Sequence, residues 1–277
     1  MIRKPAVAGQ FYPSDKIELL KTVKSCLNTG AKKEKAIGVV SPHAGYIYSG
    51  QVAGSVFSSI EVPKVVVVIS PNHTGRGAPA AIISDGEWET PLGRVKIDGR
   101  FARALMEECP NLREDALAHT FEHSLEVQLP FLQVLRPDVN IVPITVSHLR
   151  FSSCEELGHA IAQVVRKITP SPNGVELGEN VLIVASSDMT HYEPCDVAKQ
   201  KDSLAIERIL ALDARGLLDT CAREDITMCG VVPVAIMLIA AKELGARSGK
   251  LIKYATSFDV TRDYDQVVGY AGILILP

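Results

Sequence analysis

The sequence predicts an α/β fold, a single-domain α/β/α sandwich with a largely parallel central sheet across residues 1–277. Three observations point there. Short β-rich runs alternate with helical patterns, the arrangement that gives a sheet covered by helices on both faces. The run Val-Val-Val-Val-Ile-Ser at 65–70 is almost wholly β-branched, as suits a strand buried on both sides. A chain of 277 residues, 47% hydrophobic and 22% charged, is long for one domain and short for two.

Taken in order, strands are expected at 36–40, 65–70, 141–146, 181–186, 251–257 and 267–276. Helical patterns lie between them at 51–60, 101–108, 124–135, 154–167, 197–212 and 231–244. The Gly/Pro/Asn-rich stretch 169–179 reads as a surface loop rather than a linker, because the strand–helix alternation resumes beyond it. The stretch 85–98 combines turn signals with β-formers and reads as a hairpin or excursion outside the main sheet. There is no internal repeat and no low-complexity segment.

Charge and composition exclude several functions. The formal net charge is −3 and no Lys/Arg stripe is present, so no nucleic-acid partner is expected. The short cluster Lys32, Lys33 and Lys35 reads as a solvated loop. Six cysteines form no CxxC pair, which argues against a disulfide scaffold or a structural zinc module and fits a reducing compartment. The N-terminus lacks the apolar run of a signal peptide. The longest apolar run, 231–241, falls short of the roughly 20 residues that span a bilayer. A cytoplasmic protein without a membrane span is expected. A core of this size needs no metal to fold, so any metal would be functional.

The reactive residues gather after the strands. His43 and His73 each follow a predicted strand by three residues, His191 follows one by five, and His148 lies just past another. In an open α/β sheet, ligands bind outside the carboxyl ends of the strands. Gly45, Gly75 and Gly77 let backbone approach a small ligand there. Two neutral imidazoles from adjacent strand ends suit a divalent transition metal. A third ligand could come from Cys229, Asp188 or Glu126. Cys229 directly precedes a predicted helix, where a thiol is acidified. Asp188, three residues before His191, could orient that imidazole or cap a turn.

Glu122-His123-Ser124-Leu125-Glu126 opens the helix expected at 124–135. Ser124 would cap it and Glu126 would favour its positive end. Capping leaves His123 unexplained, and it is placed beside the ligands rather than among them. Tyr46, Tyr48 and Tyr192 flank the same region, where they could line a pocket or pack into the core. Gly75-Arg-Gly-Ala-Pro-Ala80 matches GxGxxA after a strand, but Pro79 and a β-prone run follow where a dinucleotide turn must open a helix. No P-loop, HExxH or GxSxG is present.

Six motifs occur in a telling order: Pro5-Ala-Val-Ala-Gly-Gln-Phe-Tyr-Pro13, Ser41-Pro-His-Ala-Gly-Tyr46, Ser70-Pro-Asn-His73, Glu122-His-Ser-Leu-Glu-Val-Gln-Leu-Pro130, Ser187-Asp-Met-Thr-His191 and Met228-Cys-Gly230. In order and spacing they resemble the Memo family, and the resemblance runs from residue 2 to the C-terminus. It implies the sandwich fold of the LigB-type class III extradiol dioxygenases. It implies metal ligands at His43, His73 and Cys229 and a dioxygenase-like acid/base at His191; by its position in the sequence, Asp188 would assist His191. His123, Glu126, Tyr46 and Tyr192 would stand behind or around them. Iron(II) is the expected metal, with copper or zinc as alternatives. Prokaryotic members resemble proteins encoded beside a radical-SAM protein and a small partner domain; eukaryotic relatives are cell-motility mediators.

One departure bears on the chemistry. Ring-cleaving relatives hold Fe(II) with two histidines and a carboxylate, whereas a softer thiolate stands third here. The resemblance therefore carries metal binding further than catechol cleavage. Two classes of function follow: a redox or oxygen-handling metalloenzyme acting on an unknown substrate, or a non-catalytic metal-binding or adaptor protein whose cleft takes a peptide or protein partner.

Overall fold

A computed structural model describes residues 1–168 and 181–277. Its strands are β1 (Ile2–Arg3), β2 (Gly38–Ser41), β3 (Val65–Pro71), β4 (Ala80–Ile82), β5 (Glu87–Thr90), β6 (Gly93–Ile97), β7 (Arg113–Glu114), β8 (Asn140–Val146), β9 (Val181–Ser186), β10 (His191–Glu193), β11 (Ser248–Thr256) and β12 (Val267–Leu276). The main path through the sheet runs β1-β5-β6-β8-β3-β9-β2-β12-β10. Its centre, β6-β8-β3-β9-β2, is parallel throughout. β12 pairs antiparallel with β2, β10 and β11, and β4 pairs antiparallel with β8. The fold is thus one α/β domain with a mostly parallel sheet flanked by helices.

The period-2 geometry of a strand explains how one sheet serves two cores. Along β3, Val67 and Ile69 join one apolar cluster while Val66 and Val68 join the other. β9 divides likewise, with Ile183 and Ala185 on one side and Leu182 and Val184 on the other. Both faces are covered, so the near-continuous apolar composition of these strands follows. Burying a Val or Ile side chain contributes roughly 1.5–3 kcal/mol, so each of these strand residues adds to the stabilisation. The helix Val231–Glu243 is apolar on every side because it packs on β9, β3 and β2 and is itself covered by helices Phe151–Ile168 and Ala214–Arg223.

Register brings the working ends of the strands together. Ser41 pairs with Ser186 across β2 and β9, Ile69 with Ala185 across β3 and β9, and Pro71 with Val146 across β3 and β8. The loops after β2, β3, β8 and β9 therefore leave from one edge, and they carry His43, His73, His148 and Asp188.

Several expectations are adjusted. The helix expected from 51 begins at Tyr46, directly after Gly45. The helix expected at 124–135 is a 3₁₀ turn, Glu126–Gln128, followed by Leu129–Leu135 with Pro130 in its first turn. The hairpin at 85–98 forms as β5 and β6 but is not outside the main sheet, since β6 pairs parallel with β8. Helices Lys16–Cys26 and Ala214–Arg223 were not read from the sequence. The loop expected at 169–179 lies outside the described residues. Among those described, no helix is long and apolar enough to cross a membrane.

Candidate metal centre

Backbone geometry at the sheet edge delivers the donors. His43 sits in the loop between β2 and helix Tyr46–Ser58, where its N–H and that of Ala44 donate to the Asp188 carboxylate, the former at 2.7 Å. Asn72 shapes the loop after β3: its Oδ1 accepts from the Thr74 and Gly75 N–H groups at 3.1 and 3.0 Å, forming an Asx turn around His73. Cys229 precedes Gly230 and the helix Val231–Glu243. A Cβ on Gly230 would lie 2.3 Å from the Ser186 carbonyl oxygen, so only glycine lets this turn pack against the end of β9.

One ligand atom each from His43, His73 and Cys229 lies within 4.8 Å of the others. Cys229 Sγ is 3.2 Å from His43 Nε2. His43 is 2% exposed, Cys229 is half-buried, and His73 opens to solvent.

Hydrogen bonds fix the tautomers of both imidazoles. The Ser186 hydroxyl gives its single proton to the Ser124 carbonyl at 2.6 Å and accepts from Gln128 Nε2 at 2.9 Å. Its remaining lone pair, 2.9 Å from His43 Nδ1, must accept the Nδ1–H. His43 Nε2 is therefore an unprotonated donor turned toward Cys229. His73 repeats the device: its Nδ1–H donates to Glu122 Oε1 at 2.9 Å and its backbone N–H to Oε2 at 2.6 Å. Ser124 adds two bonds to Glu122 Oε1, at 2.7 and 2.9 Å. Burial opposes the charge on Glu122, but the His73 and Ser124 bonds outweigh it and hold the carboxyl down at about 2. A carboxylate on the far nitrogen of a ligating histidine is the arrangement that orients such ligands.

Electrostatics favour the neutral forms of His43 and Cys229 without a metal. Burial, then the neighbouring His73, His123 and His191, pushes His43 well below the usual imidazole range. Burial, then Asp188, pushes the Cys229 thiol up. A divalent cation reverses this balance, because it stabilises a bound thiolate directly. The Asp188 N–H already points at the sulfur at 3.3 Å. The donor set thus fits a transition metal: two imidazoles of fixed tautomer, a thiol beside one of them, and hydrogen-bonded supports behind both.

The remaining site expectations divide. His123 belongs to the cluster, stacked on His73 with centroids 4.8 Å apart and edge-on to His43 at 5.5 Å. His191 joins it electrostatically, but Asp188 does not orient it. His191 Nδ1 instead meets the Thr227 carbonyl at 3.0 Å, and its N–H donates to Thr227 Oγ1 at 2.8 Å. Asp188 is turned away because its oxygens serve the His43–Ala44 backbone; burial, only partly offset by those bonds, raises its carboxyl to about 7. Tyr192 follows His191 in a left-handed conformation, φ 59°, and its ring is exposed.

Glu126 and Tyr46 do not line the cleft at the cluster. Glu126 is wholly buried, ion-paired with Arg3, and accepts from Ala6 N–H at 2.8 Å, Val7 N–H at 3.1 Å and the Tyr12 hydroxyl at 2.5 Å. It pins the N-terminal segment to the segment that bears Glu122 and His123, and Ser124 caps nothing in the way expected. Tyr46 packs among Tyr12 and Phe131, with its hydroxyl on the Val127 carbonyl. His148 lines the cleft beside the cluster without joining it. Glu122, Ser186 and Gln128 were missed as orienting groups. Glu122 and Gln128 both lie in the motif at 122–130, and the adjacency of Glu122 to His123 was a further signal; nothing local marked Ser186.

A family model described as Memo-like protein matches residues 3–274. Among curated relatives, a MEMO1 family protein of Methanopyrus kandleri is 45% identical over 288 residues, covering 99% of each chain. One of Pyrobaculum arsenaticum is 44% identical over 285 residues, covering 99% of this chain and 98% of its own. One of Aquifex aeolicus is 42% identical over 277 residues and 99% of each chain.

Proposed function

The chain belongs to the Memo-like protein family, and on that premise we propose that it is a metal-binding protein with a non-haem redox or oxygen-handling centre. His43, His73 and Cys229 would hold the metal, iron(II) foremost, with copper or zinc as the alternatives. The observation that supports this most is the pair of fixed tautomers. Ser186 and Glu122 occupy both Nδ1 positions and leave both Nε2 atoms as donors beside a thiol. A bound metal would supply Lewis acidity and, for iron or copper, one-electron chemistry.

The chain's own groups do the rest. Glu122 and Ser186 orient the imidazoles, and Asp188 holds the His43 loop. His191 donates its Nδ1–H to the Thr227 carbonyl, so Nε2 is the nitrogen that can accept a proton. Burial lowers the affinity of His191 for that proton, which keeps it a base at neutral pH. Simple catechol cleavage is not part of this proposal, since a thiolate replaces the carboxylate of the ring-cleaving facial triad.

The test is metal analysis of protein purified without oxygen, then titrated with Fe(II), Cu(I) and Zn(II). Stoichiometric binding that is lost in His43→Ala, with the fold retained, is expected. A protein that takes up none of the three, or a His43→Ala variant that binds as before, would remove the proposal.

A further inference from the structure

The cleft that reaches His73 and Cys229 is far larger than a metal centre needs. It measures about 920 Å³, toward the upper end of small-molecule sites. One wall is a stripe of the helix Ala214–Arg223, where Arg215, Leu218, Asp219 and Ala222 recur at the spacing that shares a helix face. Leu149 and Phe151, from beyond β8, and Ile226 and Val232, flanking Cys229 in the chain, extend an apolar lining.

The charges in this lining cancel. Among the described residues that line the cleft, Arg215 and Asp219 are the formally charged ones, and they pair with each other at 3.3 Å, with side chains 62% and 60% exposed. The Arg215 guanidinium also lies 4.8 Å from the Phe151 ring centroid, so its face is occupied. The other ionisable side chains are His148, which is exposed, the buried thiol of Cys221, and the centre's own His73 and Cys229. A phosphate or carboxylate on an entering molecule would meet no unmatched Lys or Arg here. A molecule with a polar body would lose hydration where it lies on Leu218, Ile226 and Val232, whose side chains offer it no hydrogen bonds.

Resting on the metal reading above, we infer that the cleft takes an uncharged, largely apolar small molecule that carries an oxygen donor at the end nearest the metal. The apolar body lies along Leu218, Ile226 and Val232, and the donor reaches the centre at His73 and Cys229.

The test uses zinc-loaded full-length protein, zinc being redox-silent, titrated calorimetrically with a homologous series of straight-chain alkyl hydroxamic acids. Zinc uptake is measured first and separately, so its absence would remove the metal reading, and this inference with it, before any tail is tested. With zinc bound, Kd is expected to fall about fourfold per added methylene over the first several. Leu218→Asp, and independently the loop variant Leu149→Asp, should flatten that dependence while zinc affinity stays unchanged. A series with no chain-length dependence would overturn the inference. So would an alkyl phosphate that binds more tightly than the hydroxamic acid of equal length. Equal affinity in metal-free protein would overturn the placement of the donor at the metal.

Discussion

His43 Nδ1 and Ser186 Oγ lie 2.9 Å apart, and the proton between them can sit only on the histidine. Ser186 has already given its own proton to Ser124 and one lone pair to Gln128. A buried serine at the end of β9 thus decides which nitrogen of His43 faces Cys229. Ser186→Ala should weaken metal binding about 10–100-fold, the usual weight of such a support. Competition titration against a chelator reads this directly, and unchanged affinity would show that the tautomer is set elsewhere.

Glu122 serves His73 as Ser186 serves His43, but with charge. Glu122→Gln keeps the shape and removes the carboxylate that accepts from Nδ1 and the backbone. A loss of metal affinity of about 10–100-fold is expected, with the fold intact by circular dichroism. A variant with tighter binding would contradict the orienting role.

The Arg3–Glu126 pair should report on stability rather than chemistry. Both side chains are buried, and Arg3 also donates to the Glu122 carbonyl at 2.6 Å and the His119 carbonyl at 3.1 Å. Arg3→Met would leave Glu126 buried without its cation, a change that typically costs about 3–5 kcal/mol. Denaturant unfolding of the metal-free protein measures it. A cost below ~1 kcal/mol would mean the N-terminal segment is held by apolar contacts instead.

His119, which is not one of the proposed metal ligands, predicts an acid limb of stability. Burial, then the positive charge of Arg3, lowers this imidazole from 6.5 to about 4 in the folded protein. The unfolded chain therefore binds the proton first as pH falls. The contribution is fully present above pH 6.5 and is lost progressively down to about 4, on the order of 3 kcal/mol in all. His119→Asn should flatten that limb in metal-free protein, measured by thermal unfolding between those pH values. An unaltered slope would assign the acid sensitivity to other groups.

Much of the scaffold was legible because periodicity reports burial. The β-branched run at β3 and the apolar runs at β8, β9 and β12 lie where the alternation placed them, since both faces of the central sheet are covered. Helix Ala214–Arg223 was missed although Ala214, Leu217, Leu218 and Cys221 recur at helical spacing, because it has only 10 residues and follows closely on the helix that ends at Leu210. His43, His73, His123 and Cys229 were legible as strand-end or motif residues. The function of Glu126 was not, because its partners Arg3 and Tyr12 lie more than 110 positions away in sequence. Nearness in sequence offers Asp188 two roles, orienting His191 or capping a turn, whereas its acceptors are met by the backbone at His43, which only the pairing of β2 with β9 brings close.

Convergence of His43, His73 and Cys229 on one ion is tested most directly by X-ray absorption of zinc-loaded protein. One sulfur at about 2.3 Å and nitrogen scatterers at about 2.0–2.1 Å are expected, the sulfur vanishing in Cys229→Ser. A zinc site with no sulfur in the unmodified protein, or one whose sulfur survives Cys229→Ser, would contradict it.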